Sequence, residues 1–293
     1  MDNYINCIAH NSSEGSLLIG NTHTALIDCG MAFCAAETIQ KVQDALKGRP
    51  LDYIILTHAH YDHVGALPFF REKWPGLQTV VSAAGAAILV KDTPRRVIRE
   101  LSLVAAEING VTLNTGYSDD MFRGDIIVKD GGRLSLGGLT VEVVETPGHT
   151  RDSLSFIIPE LEILVLNETP GVLFPDGSIH PGYLSSYADT INSINKCRQI
   201  PHRYLSLPHR SIVSDADADG FFDKALAATA ACRDFIILMK EKGLSEDAME
   251  ESFFHQYANE VLLSFQPKAA FMENTRARIA CTLRDEFIPL QNN

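Results

Sequence analysis

The sequence is short of positive charge, of paired cysteines and of long apolar runs. With 25 Lys and Arg against 37 Asp and Glu, the formal net charge is −12. That balance argues against a broad attraction to nucleic acid or to an anionic membrane. No run of about 18 apolar residues occurs, so no membrane-spanning helix is expected. The opening residues, Met1-Asp2-Asn3-Tyr4-Ile5-Asn6-Cys7, lack a basic segment followed by an apolar core, and the cytoplasm is the expected location. The 6 cysteines (Cys7, Cys29, Cys34, Cys197, Cys232, Cys281) are scattered without a Cys-x-x-Cys pair, which predicts reduced, buried thiols rather than a disulfide framework. Internal repeats and low-complexity tracts are also absent. What remains is a chain of 293 residues, 45% hydrophobic and 21% charged, long enough to bury a substantial core.

Against this background the segment Thr57-His58-Ala59-His60-Tyr61-Asp62-His63 stands out, because it follows directly on the apolar run Tyr53-Ile54-Ile55-Leu56. Three imidazoles and a carboxylate on one turn at a strand end are the ligand types that suit Zn, Fe and Mn. In His58-Ala59-His60 the alternation of an extended segment turns both imidazoles to one side, while Asp62 and His63 follow a bend and point elsewhere. One metal could take the first pair and a second metal the other. Two ions about 3.5–4 Å apart form the clamp used for water-driven displacement at carbonyl or phosphoryl centres. Further ligands must come from later strand ends, where three candidates occur. His149 follows the alternating strand Leu139–Val144 in a Thr146-Pro147-Gly148-His149 turn. Glu168 closes the apolar strand Leu161–Leu166, and His209 ends the short run Tyr204–Pro208.

His-x-His-x-Asp-His, then Thr-Pro-Gly-His, then a strand-end acid and a strand-end Pro-His, resembles the metallo-β-lactamase-fold hydrolase superfamily over roughly residues 15–213. The resemblance implies an α/β fold, a four-layered αββα sandwich, with a dinuclear metal site at one edge between two sheets. It implies His58, His60 and His149 on the first metal, Asp62, His63 and His209 on the second, and Glu168 bridging them. The cofactors it implies are two divalent ions, zinc first, with iron or manganese as alternatives. Ala25-Leu26-Ile27-Asp28-Cys29-Gly30 is similar to the family's early strand, with Asp28 a carboxylate that steadies the His loop from behind. The chain departs from the family in two places: Glu168 stands where an Asp is usual, and Pro208-His209-Arg210 where Gly-His-Gly is usual. Glu168 therefore either bridges, absorbing an extra methylene, or only hydrogen-bonds a ligating His and leaves one metal or no activity.

Strand signals cover 15–28, 52–57, 78–82, 126–145, 154–167 and 204–208, and helical patterns about 36–47, 65–73, 83–91 and 187–200. The interval 92–123 begins as an amphipathic helix and turns polar, which suggests an insertion bordering the substrate cleft. After Ser214 strand signals stop. Asp215–Gly220 forms a polar boundary, and Phe221–Met239, Glu246–Tyr257 and Lys268–Phe287 have helical periodicity. This divides the chain into a hydrolase domain, 1–213, and a helical module, 214–293. Apolar residues such as Phe253, Phe254 and Phe271 require the module to pack on something, either over the metal edge as a cap or at a homodimer interface. The insertion and the tail are closest in layout to the quinolone-signal response thioesterase branch.

The implied chemistry is metal-assisted hydrolysis of a small-molecule acyl substrate. Water loses its proton near neutral pH and attacks a carbonyl carbon, with Asp62 a ligand and a proton acceptor. A thioester suits such a site because a thiolate departs without a strong general acid, ahead of an ester or lactone. Tyr183, in His180-Pro181-Gly182-Tyr183, either reaches the cleft to bind substrate or packs. A metallo-β-lactamase-fold endoribonuclease or phosphodiesterase, and a metal-binding regulatory protein with weak residual hydrolase activity, are the alternatives.

Overall fold

The computed structural model describes residues 3–7, 9, 15–209, 212–214 and 220–287. Arg210 and the polar stretch 215–219 lie outside them. By contact density the chain forms two compact units. The first comprises Met1–Glu145, Asp152–Asn167 and His202–Ile212; the second comprises Thr146–Arg151, Glu168–Pro201 and Val213–Asn293.

In the first unit, β1 (Tyr4–Asn6), β2 (Ser16–Ile19), β3 (Thr24–Ile27), β4 (Tyr53–Ile55), β5 (Gln78–Ser82) and β6 (Ile126–Val128) form one mixed sheet in that order. The β1, β2 and β3 strands pair antiparallel, whereas β3 to β6 run parallel. Parallel pairing requires crossovers, and α1 (Ala35–Leu46), α2 (Tyr61–Val64) with α3 (Leu67–Lys73), and α4 (Ala83–Leu89) with α5 (Asp92–Ile108) lie in those connections. The second mixed sheet contains β7 (Arg133–Ser135), β8 (Thr140–Glu145), β9 (Leu154–Ile158) and β10 (Ile163–Val165), with β13 (Tyr204–Ser206) parallel to β10 and β14 (Ile212–Ser214) at its edge.

Alternation explains how the sheets meet. Ala25, Ile27, Ile55 and Val80 from the first sheet and Val141, Val143, Phe156 and Val165 from the second share one buried core. Their intervening neighbours Leu26, Ile54 and Leu164 are equally buried on the opposite faces. Strands apolar on both faces are the pattern of sheets covered on both sides.

The second unit has its own core. The hairpin β11 (Val172–Leu173) with β12 (Ile179–His180), α6 (Tyr187–Arg198), α7 (Phe221–Glu241), α8 (Glu246–Tyr257), α9 (Glu260–Phe265) and α10 (Lys268–Phe287) belong to it. Phe174, Tyr183, Ile236, Phe253 and Phe271 are among its buried members, and Phe254 packs against them. The three expected tail helices are present, joined by the short α9, and β1, β11, β12 and β14 add to the expected strands. These four are two to three residues long, too short for a periodic signal. The expected insertion begins as helix α5, whose partners include α2 and the turn Ala32–Cys34, and the chain rejoins the first sheet at β6. Among the described residues no helix is long and apolar enough to cross a membrane.

Candidate metal centre

The first unit builds most of the expected ligand set past the ends of β4 and β13, with Asp28 behind it at the end of β3. Past β4 the chain bends at Thr57, and His60 (φ −79°, ψ 152°) is the extended residue that leads into α2. Asp62 and His63 lie in α2, and the His63 ring sits against that of His58, with centroids 4.1 Å apart. His58 and His63 are 1% exposed, and His60 is half-buried.

Asp28 fastens this loop. Its Oδ1 accepts from the Thr57 amide (2.8 Å), and its Oδ2 accepts from Thr57 Oγ1 (2.7 Å) and from His63 Nδ1 (2.9 Å). Because Thr57 Oγ1 gives its proton to Asp28, it accepts from His58 Nδ1 at 3.0 Å. Both imidazoles thus carry their proton on Nδ1 and present the Nε2 lone pair, the form a metal needs. Asp28 and His209 are two of four described non-glycine residues with positive φ (54° and 56°). The other two, Lys47 and Glu162, cap helix ends, where that conformation is ordinary. At Asp28 and His209 the left-handed conformation re-aims a side chain at a strand end, which is where such conformers gather functionally.

The Nε2 atoms of His63 and His209 each lie 3.8 Å from Asp62 Oδ2. The ligand atoms of these three residues fall within 4.8 Å of one another, as do those of His58 and His60. Separations of 3.8 Å exceed a hydrogen bond. They approach the ~3.4 Å expected between two ligands on one tetrahedral ion with bonds near 2.1 Å. The donor set, imidazole Nε2 with carboxylate, therefore fits a divalent ion in both geometry and tautomer.

Asp152 is a site residue that the sequence reading passed over. It is 2% exposed, and its Oδ2 accepts from the amide of Ala59, the residue between His58 and His60, at 2.9 Å. Its carbonyl accepts from Ser82 Oγ (3.1 Å), which ties it to the start of α4. Its only sequence signal is a buried-phase acid at the entrance to β9.

The second unit carries His149 and Glu168. His149 is 2% exposed; its amide donates to Thr169 Oγ1 (3.2 Å) and its Nδ1 to the Gly182 carbonyl (2.5 Å). That again puts the ring proton on Nδ1, with Nε2 3.2 Å from Glu168 Oε2. Gly182 is required here, since a Cβ would meet the Glu168 carbonyl oxygen at 1.7 Å. His180 lies nearby among Phe174, Tyr257 and Phe271. Burial, with the charge of Arg278, pushes its pKa down to about 3 against the opposing pull of Glu168, so it stays neutral.

Of the two roles open to Tyr183, packing is the one its surroundings supply. The side chain is fully buried, and its hydroxyl lies 3.0 Å from Thr282 Oγ1 and 3.7 Å from Cys232 Sγ. Burial pushes its ionisation well above the ordinary tyrosine range. Cys29 is likewise buried, donating to the His63 carbonyl (3.3 Å), and burial beside Asp28 raises its thiol pKa.

Residues 15–209 match the family described as the Metallo-beta-lactamase superfamily. The chain is 26% identical over 161 residues to the probable metallo-hydrolase YqgX of Bacillus subtilis, a match spanning 55% of this chain and 65% of that protein. It is 25% identical over 146 residues to a hydroxyacylglutathione hydrolase of Brucella ovis, spanning 50% of this chain and 42% of that enzyme. The chain thus covers less than two thirds of either relative. Among solved structures, the archaeal metallo-beta-lactamase superfamily protein ST1585 from Sulfolobus tokodaii superposes with a TM-score of 0.59 at 20% identity, covering 96% of both chains.

Proposed function

The chain belongs to the metallo-beta-lactamase superfamily, and on that premise we propose that it is a metal-dependent hydrolase of acyl compounds, with a thioester as the substrate class. The observation that carries the reading is the approach of His63 and His209 Nε2 to Asp62 Oδ2, with His63 held in its ligating tautomer by Asp28. The full proposed set adds His149 to His58 and His60 for one ion, and Glu168 as the bridge to the ion of Asp62, His63 and His209. Divalent ions held there would acidify a water and polarise an acyl oxygen. The chain's own contribution is positional. Asp28 and Asp152 hold the loop that orients the ligands, and Asp62 offers a carboxylate oxygen to the proton released as water adds to the carbonyl.

The thioester assignment has two supports. A thiolate leaves without a strong acid, and a hydroxyacylglutathione hydrolase is among the relatives. A second reading rests on the 3.2 Å contact between His149 Nε2 and Glu168. If Glu168 only hydrogen-bonds His149, one ion is lost and the protein becomes a metal-binding module with weak turnover. Metal analysis of the purified protein, followed by hydrolysis of acyl-CoA and hydroxyacylglutathione thioesters, lactones and bis(p-nitrophenyl) phosphate, tests the proposal. Two ions per chain and thioester cleavage that His60→Ala abolishes are expected. Absence of bound transition metal refutes it, and phosphodiester cleavage alone replaces it with the nuclease reading.

A further inference from the structure

Arg278 on α10 is 2% exposed, yet its guanidinium meets no carboxylate among the described residues. Its Nη2 donates to the Pro181 carbonyl (2.7 Å), its Nε donates to the Tyr183 carbonyl (3.2 Å), and Nη1 makes no hydrogen bond. The cation lies over the rings of Phe253 (5.2 Å) and Tyr183 (5.8 Å). A buried arginine spent on two backbone carbonyls is a poor way to stabilise a core, where an apolar residue of similar volume serves as well or better. What it does achieve is to fix the peptides on either side of the Gly182–Tyr183 peptide. The Gly182 carbonyl, between them, is the acceptor that sets the tautomer and ring orientation of His149.

The same peptide has no freedom on its other side, because Gly182 lies against the Glu168 carbonyl, where no Cβ would fit. The loop after it also cradles His149, with the amides of Leu184 and Ser185 donating to the Gly148 carbonyl at 3.1 and 2.9 Å. We propose that Arg278 is a positioning residue for the metal ligand His149: through Pro181 and Tyr183 it holds the carbonyl that orients the imidazole, making the C-terminal helix part of the metal site's support. The inference rests on the proposed function only in taking His149 as a ligand. A hydrogen-bond partner of a ligating histidine is worth about 10–100-fold in metal affinity, and Arg278 acts one bond further out.

The test uses the full chain, with zinc affinity measured by chelator competition and the cobalt-substituted protein by visible absorption. Arg278→Met should fold, weaken one of the two ions by about 10-fold, the lower end of that range, and change the cobalt ligand-field bands. Arg278→Lys, which keeps an ammonium able to reach the carbonyls, should restore most of the affinity. Thr282→Val is the packing control: it removes the contact to the Tyr183 hydroxyl on the same helix and should lower the melting temperature with metal affinity unchanged. In metal-free protein carrying nitrogen-15 histidine, the wild type should show His149 protonated on Nδ1, and Arg278→Met a mixture of tautomers. A folded Arg278→Met with wild-type zinc affinity, cobalt spectrum and tautomer overturns the inference. If Arg278→Met does not fold, Arg278→Gln, which can still serve one carbonyl, faces the same two outcomes. If only lysine is tolerated for folding, Arg278 serves core stability and the inference falls. Wild-type protein that binds no divalent ion instead overturns the metal-centre reading itself.

Discussion

Asp28→Asn removes one negative charge at the hub of the His loop and leaves the shape almost unchanged. Asp28 is 3% exposed and accepts three hydrogen bonds, two of them on Oδ2. With the amide oxygen kept toward the Thr57 amide, the new NH2 faces two donors, Thr57 Oγ1 and His63 Nδ1. The hydroxyl can turn to accept. His63 can remain bonded only by moving its proton to Nε2, the atom that approaches Asp62 and would ligate. Hydrogen bonds to a charged acceptor contribute about 1.5–3 kcal/mol each and a neutral replacement about 1, so the three together lose about 1.5–6 kcal/mol of stability. The tautomer switch should also weaken the ion of Asp62, His63 and His209 by about 10–100-fold, with the His58–His60 ion less affected. Guanidinium unfolding of the metal-free protein measures the first effect, and zinc titration against a chelator the second. A folded variant that holds two ions with wild-type affinity would refute the argument that Asp28 sets the His63 tautomer.

Three further outcomes follow from the same geometry. Asp152→Ala leaves the buried Ala59 amide without its acceptor, at a cost of about 1–3 kcal/mol, and should weaken the His58–His60 ion in a metal titration, whereas Asp152→Asn should rescue it. His180 is held near pKa 3 where the unfolded chain has the ordinary 6.5, so protons favour the unfolded state below about pH 6.5 and have no such effect above it. The wild type should therefore lose about 2 kcal/mol more than His180→Phe between pH 7 and pH 5, and parallel denaturation curves for the two would contradict this. Tyr183→Phe deletes a hydroxyl bonded inside the core; it should cost about 1 kcal/mol in thermal unfolding and leave thioester turnover unchanged, while a selective rise in KM would return Tyr183 to the substrate cleft.

The candidate ligands and one support, Asp28, could be read from sequence, whereas Asp152 and Arg278 could not, for a physical reason. His58, His60, Asp62 and His63 lie within six consecutive residues at a strand end, and His149, Glu168 and His209 repeat that context, so local pattern suffices. Asp152 and Arg278 act on backbone groups far away along the chain, the amide of Ala59 and the carbonyls of Pro181 and Tyr183. Backbone partners leave no mark in a sequence. Yet Arg278 stands in phase with Phe271, Thr275 and Thr282, all at most 2% exposed, on the buried stripe of its helix. Asp152 likewise opens a strand whose Leu154 and Phe156 belong to the inter-sheet core. A charge placed where periodicity demands an apolar residue carries a desolvation cost that folding alone does not justify. Read in that way, the out-of-phase charge is itself the sequence signal: Asp152 leads to the amide between two candidate ligands, and Arg278 to the carbonyls on either side of the one that faces His149.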